Sequence, residues 1–172
     1  MSADAKPKPP VTLTRLSGTA LVETIDGPVP VIKLVGKAMP VLTRFRDGAL
    51  GFRMMREVRE VEPTAAVLEL VNADGQVVAV GADHVFVRSD GREVRARDLL
   101  AGDRLEQGWS YPPGYDVPVA EEYAAAVRGR AWDPAVVVAA IRPAGEGPLF
   151  GCTVNETKSF FLTFGARCRA QV

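Results

Sequence analysis

Apolar and polar residues along this chain alternate in short runs, and glycine-bearing turns cut those runs at recurring distances. The plainest case is Leu68-Glu69-Leu70-Val71-Asn72, then Asp74-Gly75, then Val77 to Val80. Alternation leading into a tight turn and an apolar return predicts a β-hairpin. Asp-Gly pairs also stand at Asp26-Gly27, Asp47-Gly48 and Asp90-Gly91, and glycine accepts the positive φ that tight hairpins demand. Ala65 to Val71 and Val85 to Arg88 are rich in β-branched and aliphatic residues, which suit a pleated, half-buried surface. Hairpin signals at such intervals predict an all-β barrel or sandwich and argue against βαβ units.

An approximate internal repeat sharpens this picture. Asp26-Gly27 leads through Val31, Ile32 and Leu34 to Gly36-Lys37 and then Val41-Leu42. Asp90-Gly91 leads through Val94, Ala96 and Leu99 to Gly102-Asp103 and then Leu105. The glycine spacings are nine and eleven residues. Each unit reads hairpin, short apolar turn, glycine, next strand. A lone three-stranded unit leaves its apolar face uncovered, so two similar β subunits facing each other are expected.

Two stretches break the β pattern. Residues 1–14 contain Pro7, Pro9 and Pro10, which fix φ and remove amide donors, so a flexible or polyproline-like arm is expected. Residues 107–134 gather Trp109, Tyr111, Pro112, Pro113, Gly114 and Tyr115, followed by Tyr123, Ala126 and Val127 at helical spacing. A short helical insert is predicted there. The rest of 15–172 reads as one domain, and a chain of this length buries roughly 70% of the surface it exposes when unfolded.

Composition changes the picture only by exclusion. The chain is 47% hydrophobic and 24% charged, as ordinary globular proteins are, which argues against widespread disorder. Twenty-one basic side chains balance twenty-one acidic ones, so no general attraction to nucleic acid or an anionic membrane is expected. No apolar run nears the ~20 residues that span a bilayer, and Met1 to Pro10 lacks the apolar centre of a secretion signal. Cys152 and Cys168 make neither a disulfide framework nor a metal site. A cytoplasmic protein with no cofactor is the expectation.

Three blocks of residues then resemble the Hint domains of hedgehog proteins and inteins. Gly18-Thr19-Ala20-Leu21-Val22, with Asp26-Gly27 and Leu34-Val35-Gly36, resembles their opening. Asp83-His84-Val85-Phe86-Val87, with Asp90-Gly91 and the run Asp98 to Leu105, resembles their central histidine block. Leu149 to Val154, then Ser159-Phe160-Phe161-Leu162 and Gly165, resembles their closing block. The blocks fall in the family's order and cover nearly the whole of residues 15–170. The resemblance implies a horseshoe-like, barrel-like all-β fold with pseudo-two-fold duplicated β subunits.

What the resemblance implies about chemistry does not carry over residue by residue. The family cleaves itself by an acyl shift, which needs a nucleophile, a donor that polarises the scissile amide and an oxyanion partner. Arg15 stands at the nucleophile position, and a guanidinium has no lone pair free to attack carbon. His84 is kept, but Gly81 replaces the threonine three residues before it. Arg169-Ala170 replaces the terminal His-Asn pair, and alanine cannot cyclise; Gly151 stands where an acidic residue is often found. Ser17 lies ~7 Å further along an extended segment, too far to substitute for the nucleophile. Cys152 and Cys168 read as small buried side chains, and His84 as a structural remnant hydrogen-bonded in the barrel.

Two functions are therefore weighed. The first is a non-catalytic accessory or adaptor protein that binds protein partners within a larger assembly. Trp109, Tyr111, Pro113 and Tyr115 on the insert and Arg53 in a basic run are its candidate contacts, since aromatic and arginine side chains dominate interfaces. The opposing reading has the aromatic rings packed on the protein's own barrel and the arginines merely solvated. The second function is an autoprocessing domain with atypical catalytic residues. Little precedes Arg15 or follows Ala170 for such a domain to release, so the first reading is favoured.

Overall fold

The computed structural model describes residues 13–106 and 135–170. Its frame is an antiparallel pair of long strands, β5 (Leu50–Asn72) and β10 (Ala135–Val154). They pair from Asn72 opposite Val138 to Met55 opposite Val154, with five register shifts on the way. Such irregularities bend and twist a strand pair and re-aim its side chains. One of them decides what is buried. Between Gly151↔Arg59 and Thr153↔Arg56, β5 carries an extra residue, and Glu57 there takes φ of 54°. Strict alternation from buried Met55 would turn Glu57 inward; the bulge turns Val58 inward instead and leaves Glu57 exposed.

Around this pair the eight-stranded sheet runs in the order β3-β2-β4-β5-β6-β1-β10-β9. Its other members are β1 (Leu16–Ser17), β2 (Leu21–Thr24), β3 (Gly27–Pro30), β4 (Met39–Arg44), β6 (Val77–Gly81) and β9 (Arg104–Glu106). Because β10 also pairs with β5, the pairings β5-β6-β1-β10 close on themselves. Four further strands form a second sheet in the order β11-β12-β7-β8. They are β7 (Val85–Val87), β8 (Glu93–Arg95), β11 (Ser159–Phe161) and β12 (Arg167–Arg169). Isolated bridges, Val22 to Leu162 and Arg88 to Leu105, tie the sheets together. One apolar core lies between them, with Leu16, Leu70 and Val80 from the large sheet and Phe86, Phe160 and Cys168 from the small one.

The hairpins expected at the Asp-Gly pairs are present, with one refinement. At residues 45–49 the Phe45 N–H donates to Ala49 O and the Gly48 N–H to Phe45 O; the same two bonds recur at 72–76 and 88–92. Each loop therefore has three residues and ends on a glycine at positive φ, 92° at Gly48, 80° at Gly75 and 88° at Gly91. This is the type I turn followed by a left-handed residue, and Asp fills its second corner. Only the first pair forms a two-residue turn, Ile25-Asp26, which Thr24 braces by donating from Oγ1 to Gly27 O.

The repeat is equally visible at the local level. A 3-10 turn at Val31–Leu34 links β3 to β4, and another at Ala96–Asp98 links β8 to β9. The following glycines, Gly36 and Gly102, both have positive φ, 74° and 95°. The two units are not separate facing subunits, however. Strands β2, β3 and β4 stay in the large sheet, whereas β7 and β8 belong to the small one and β9 pairs with β10. The helical insert expected at 107–134 lies outside the described residues, as do Trp109, Tyr111, Pro113 and Tyr115; among the described residues, helical structure is limited to the two 3-10 turns. Leu13 and Thr14, assigned above to the arm, are hydrogen-bonded within the fold.

Asn72 closes β5 and organises the best-defined turn. Its buried Oδ1 accepts from Asp74 N at 3.0 Å and Gln76 N at 2.9 Å, and its Nδ2 donates to Phe164 O at 3.4 Å. Asn72→Ala is expected to lower the stability by about 2 kcal/mol, because the buried Gln76 amide and the part-buried Asp74 amide lose their acceptor. Urea unfolding checks this, and an unchanged midpoint would contradict it.

Candidate functional site

The segment from Leu13 to Ser17 threads between β6 and β10, where Leu16 faces Val80 on one side and Phe150 on the other. A buried backbone must find partners for its polar groups, and three of them are found at Leu13 and Arg15. Leu13 O accepts from Val85 N at 3.0 Å, and Arg15 O accepts from Gly81 N at 2.7 Å. The Arg15 N–H donates to a side chain, Nδ1 of His84, at 2.9 Å. Since Nδ1 accepts, the ring proton is assigned to Nε2, and that buried nitrogen has no hydrogen-bond partner among the described residues. The ring is fully buried and stands edge-on to Phe86, centroids 4.6 Å apart at 76°. Burial, and secondarily the charge of Arg15, pushes the His84 pKa down to about 3.

Arg15, Gly81 and His84, which lie far apart in sequence, thus meet around the amide that joins Thr14 to Arg15. The Arg15 guanidinium pairs with Glu62 of β5. A Cβ on Gly81 would lie 2.4 Å from Leu149 Cδ1 and 3.1 Å from Arg15 Cβ. The place a threonine side chain would need is therefore filled by Leu149, itself buried in the core. The closing strand comes to the same spot. Thr14 Oγ1 donates to Arg169 O at 2.7 Å, one residue before buried Ala170.

Nearby hydroxyls and thiols are otherwise engaged. Ser17 Oγ is hydrogen-bonded to Thr19 Oγ1 at 3.3 Å. Cys152 Sγ lies 3.7 Å from Thr14 Oγ1, but burial pushes its thiol up to about 12, which leaves almost no thiolate. Burial likewise raises the Cys168 thiol well above its ordinary range. Both cysteines are free and buried, in keeping with their reading as small core side chains. Among the described residues, no three His, Cys, Asp or Glu side chains gather as a metal site, and no helix is long and apolar enough to cross a membrane.

Chemically, the arrangement holds one amide N–H against a neutral imidazole. A ring that stays unprotonated down to about pH 3 accepts from that amide. It has little tendency to hand a proton to a departing amine at neutral pH.

No family model matches the chain, and no curated protein is similar to it in sequence. Solved structures are similar in fold. A mutant of the Ssp DnaB mini-intein matches with a TM-score of 0.71 and 17% identity, covering 92% of this chain and 99% of that one. The DnaB intein from Synechocystis gives 0.67 at 17% identity, over 92% and 99% of the two chains. The bacterial intein-like domain from Clostridium thermocellum gives 0.66 at 16% identity, over the same shares. The chain has the intein fold. Within that Hint/intein architecture, Arg15, Gly81 and His84 come together, and the end of the chain arrives beside them. Arg53 belongs to a different place, the β4–β5 hairpin, where it pairs with Glu156 at 3.0 Å.

Sequence reasoning missed Thr14 and Glu62, and it placed Leu149 and Arg169 in the closing block without their contacts to Gly81 and Thr14. The contacts that bring them together carry no local signal, because each is long-range.

The burial of His84 has a consequence in pH. Its folded pKa of about 3 lies below the unfolded value of 6.5. The native state therefore binds fewer protons in that window, and stability present above pH 6.5 is lost as pH falls toward 3. Between pH 7 and 5 the loss from this group is about 2 kcal/mol. His84→Gln is expected to cost about 1–3 kcal/mol at pH 7 while removing this part of the acid sensitivity. Denaturant melts of both proteins at pH 7, 6 and 5 check it; parallel losses in the two would refute it.

Proposed function

We propose that this chain is a non-catalytic Hint-fold protein that serves as a cytoplasmic accessory or adaptor component, binding other proteins in a larger assembly. The observation that carries the reading is the hydrogen bond from Arg15 N to His84 Nδ1. It supports reading residue 15 as the position of the family's nucleophile, and the side chain there is an arginine paired with Glu62. Leu149 occupying the space beside Gly81 and buried Ala170 at the closing position support the same view. On this reading His84 is a structural remnant, and the local repeat is what is left of two-fold related halves in a horseshoe.

The same hydrogen bond favours a second reading. An amide held on a histidine is what an autoprocessing domain with atypical residues would retain. Its nucleophile would have to be Cys152, whose thiol is buried and held protonated, so we place it second.

Incubation of the purified chain with thiol or hydroxylamine is expected to leave its mass at 18.4 kDa. A fragment or hydroxamate formed at the 14–15 bond would overturn the non-catalytic reading.

Trp109, Tyr111, Pro113 and Tyr115 are proposed as the main protein contact. Aromatic side chains with few rotatable bonds bury ~150–250 Å² each at low entropic cost, and Pro112 with Pro113 restricts the free loop further. Trp109→Ala with Tyr111→Ala is expected to abolish pull-down of the native partner and leave the melting temperature unchanged. Retained pull-down with melting lowered by several degrees would make the loop a lid.

A further inference from the structure

The β4–β5 hairpin opens onto a cleft of about 570 Å³ that is separate from the His84 neighbourhood. Four arginines line it, Arg44, Arg46, Arg53 and Arg167, against two carboxylates, Asp47 and Glu156. In a chain with no net charge this is a local positive field. We propose that the cleft docks an acidic peptide segment of a partner protein, with Arg53 as its anchor and Glu156 as a built-in carboxylate that the peptide displaces. The proposal deepens the protein-binding reading above and rests on it.

The anchor is built before any partner arrives. Gly51 has no Cβ, and one there would lie 2.4 Å from the Phe45 ring, so the ring settles onto the strand. Arg53 then stacks on that ring, Cζ 4.3 Å from its centroid, and donates from Nη1 to Phe52 O at 2.9 Å. A guanidinium fixed this way loses little freedom on binding and presents its remaining donors to a carboxylate. Arg53 Nε already donates to one, Glu156 Oε2, at 3.0 Å. That pair is easily exchanged, since the Glu156 side chain is 69% exposed and water competes for it.

Glu156 is also held in an unfavourable conformation. It and Lys158 take φ of 60° and 51°, in a region non-glycine residues adopt only when their surroundings impose it. The surroundings do so here. Thr43 Oγ1 donates to Thr157 Oγ1 at 2.7 Å, and Lys158 O accepts from Ala170 N at 2.9 Å. With Asn155 N donating to Met54 O at 3.2 Å as well, the turn is pinned on both sides of Glu156, whose side chain remains outside. Arg44 and Arg167 form the far wall, both leaning on Glu106 at 3.7 and 3.0 Å. Arg46 is exposed, and among the described residues no ion pair engages it, so it is available to a second carboxylate along an extended chain.

The test is fluorescence anisotropy of labelled hexaglutamate titrated with the full chain at low salt. Saturable binding is expected, weakened at least about tenfold by Arg53→Gln and severalfold by Arg46→Gln. Glu156→Gln is expected to tighten it, and raising the salt to abolish it. Arg46→Gln touches no contact within the described fold, so it remains informative if Arg53→Gln unfolds. Absence of saturable binding, equal affinity in folded Arg46→Gln and Arg53→Gln proteins, or inorganic phosphate binding as tightly as the peptide would each overturn the proposal. Intact mass of the same preparations separates the two readings: a cleaved fragment alongside normal peptide binding refutes the non-catalytic assignment and leaves the cleft standing.

Discussion

A strand inserted between two others must have every amide answered, and the Arg15 amide is answered by a side chain. The hydrogen bond to His84 Nδ1 stands in for a ladder bond that the backbone does not supply. Its consequences spread outward. It orients the ring against Phe86 and leaves Nε2–H buried with no partner among the described residues. An orphan donor of that kind costs about 1–3 kcal/mol, which the fold bears because the alternative is an unanswered backbone amide at the same place. It also fixes the path of Thr14, whose hydroxyl then reaches Arg169 O and joins the two ends of the domain.

The long strands make that junction possible. β5 and β10 are 23 and 20 residues long, and each inserted residue between them exchanges the inward and outward faces of the strand that carries it. The shift near Glu57 puts Val58 and Cys152 in the core together. The shifts around Leu149 and Phe150 let both side chains be buried although they are neighbours in sequence. Phe150 then pairs opposite Leu16, and Leu149 closes the space beside Gly81. The apolar seal on the His84 neighbourhood is thus a product of strand irregularity as much as of composition.

This explains what could be read from the sequence and what could not. Hairpins announced themselves through Asp-Gly because the turn is local, and three of them even share one hydrogen-bond pattern. The order of the three blocks pointed to the fold, and His84 to the site, because the motif keeps its spacing. Glu62 and the contact of Leu149 beside Gly81 were invisible, since no periodicity forecasts a bulge, and the bulges set which side chains reach Arg15. The expected pair of facing subunits failed in part for a similar reason. The repeat encodes turns, whereas sheet membership is decided by the long strands that each unit happens to meet.

The molecule therefore has two polar places with opposite physical characters. Around His84, desolvation dominates: the ring is neutral, Cys152 is protonated and Leu149 fills the remaining room. Around Arg53, solvent has access, guanidinium groups outnumber carboxylates among the lining residues, and Glu156, the carboxylate on Arg53, is largely exposed. An exchange of partners costs little at such a surface, whereas opening the sealed neighbourhood would mean breaking core packing. The arginine cleft is where the described surface can change partners without disturbing the bond between Thr14 and Arg169.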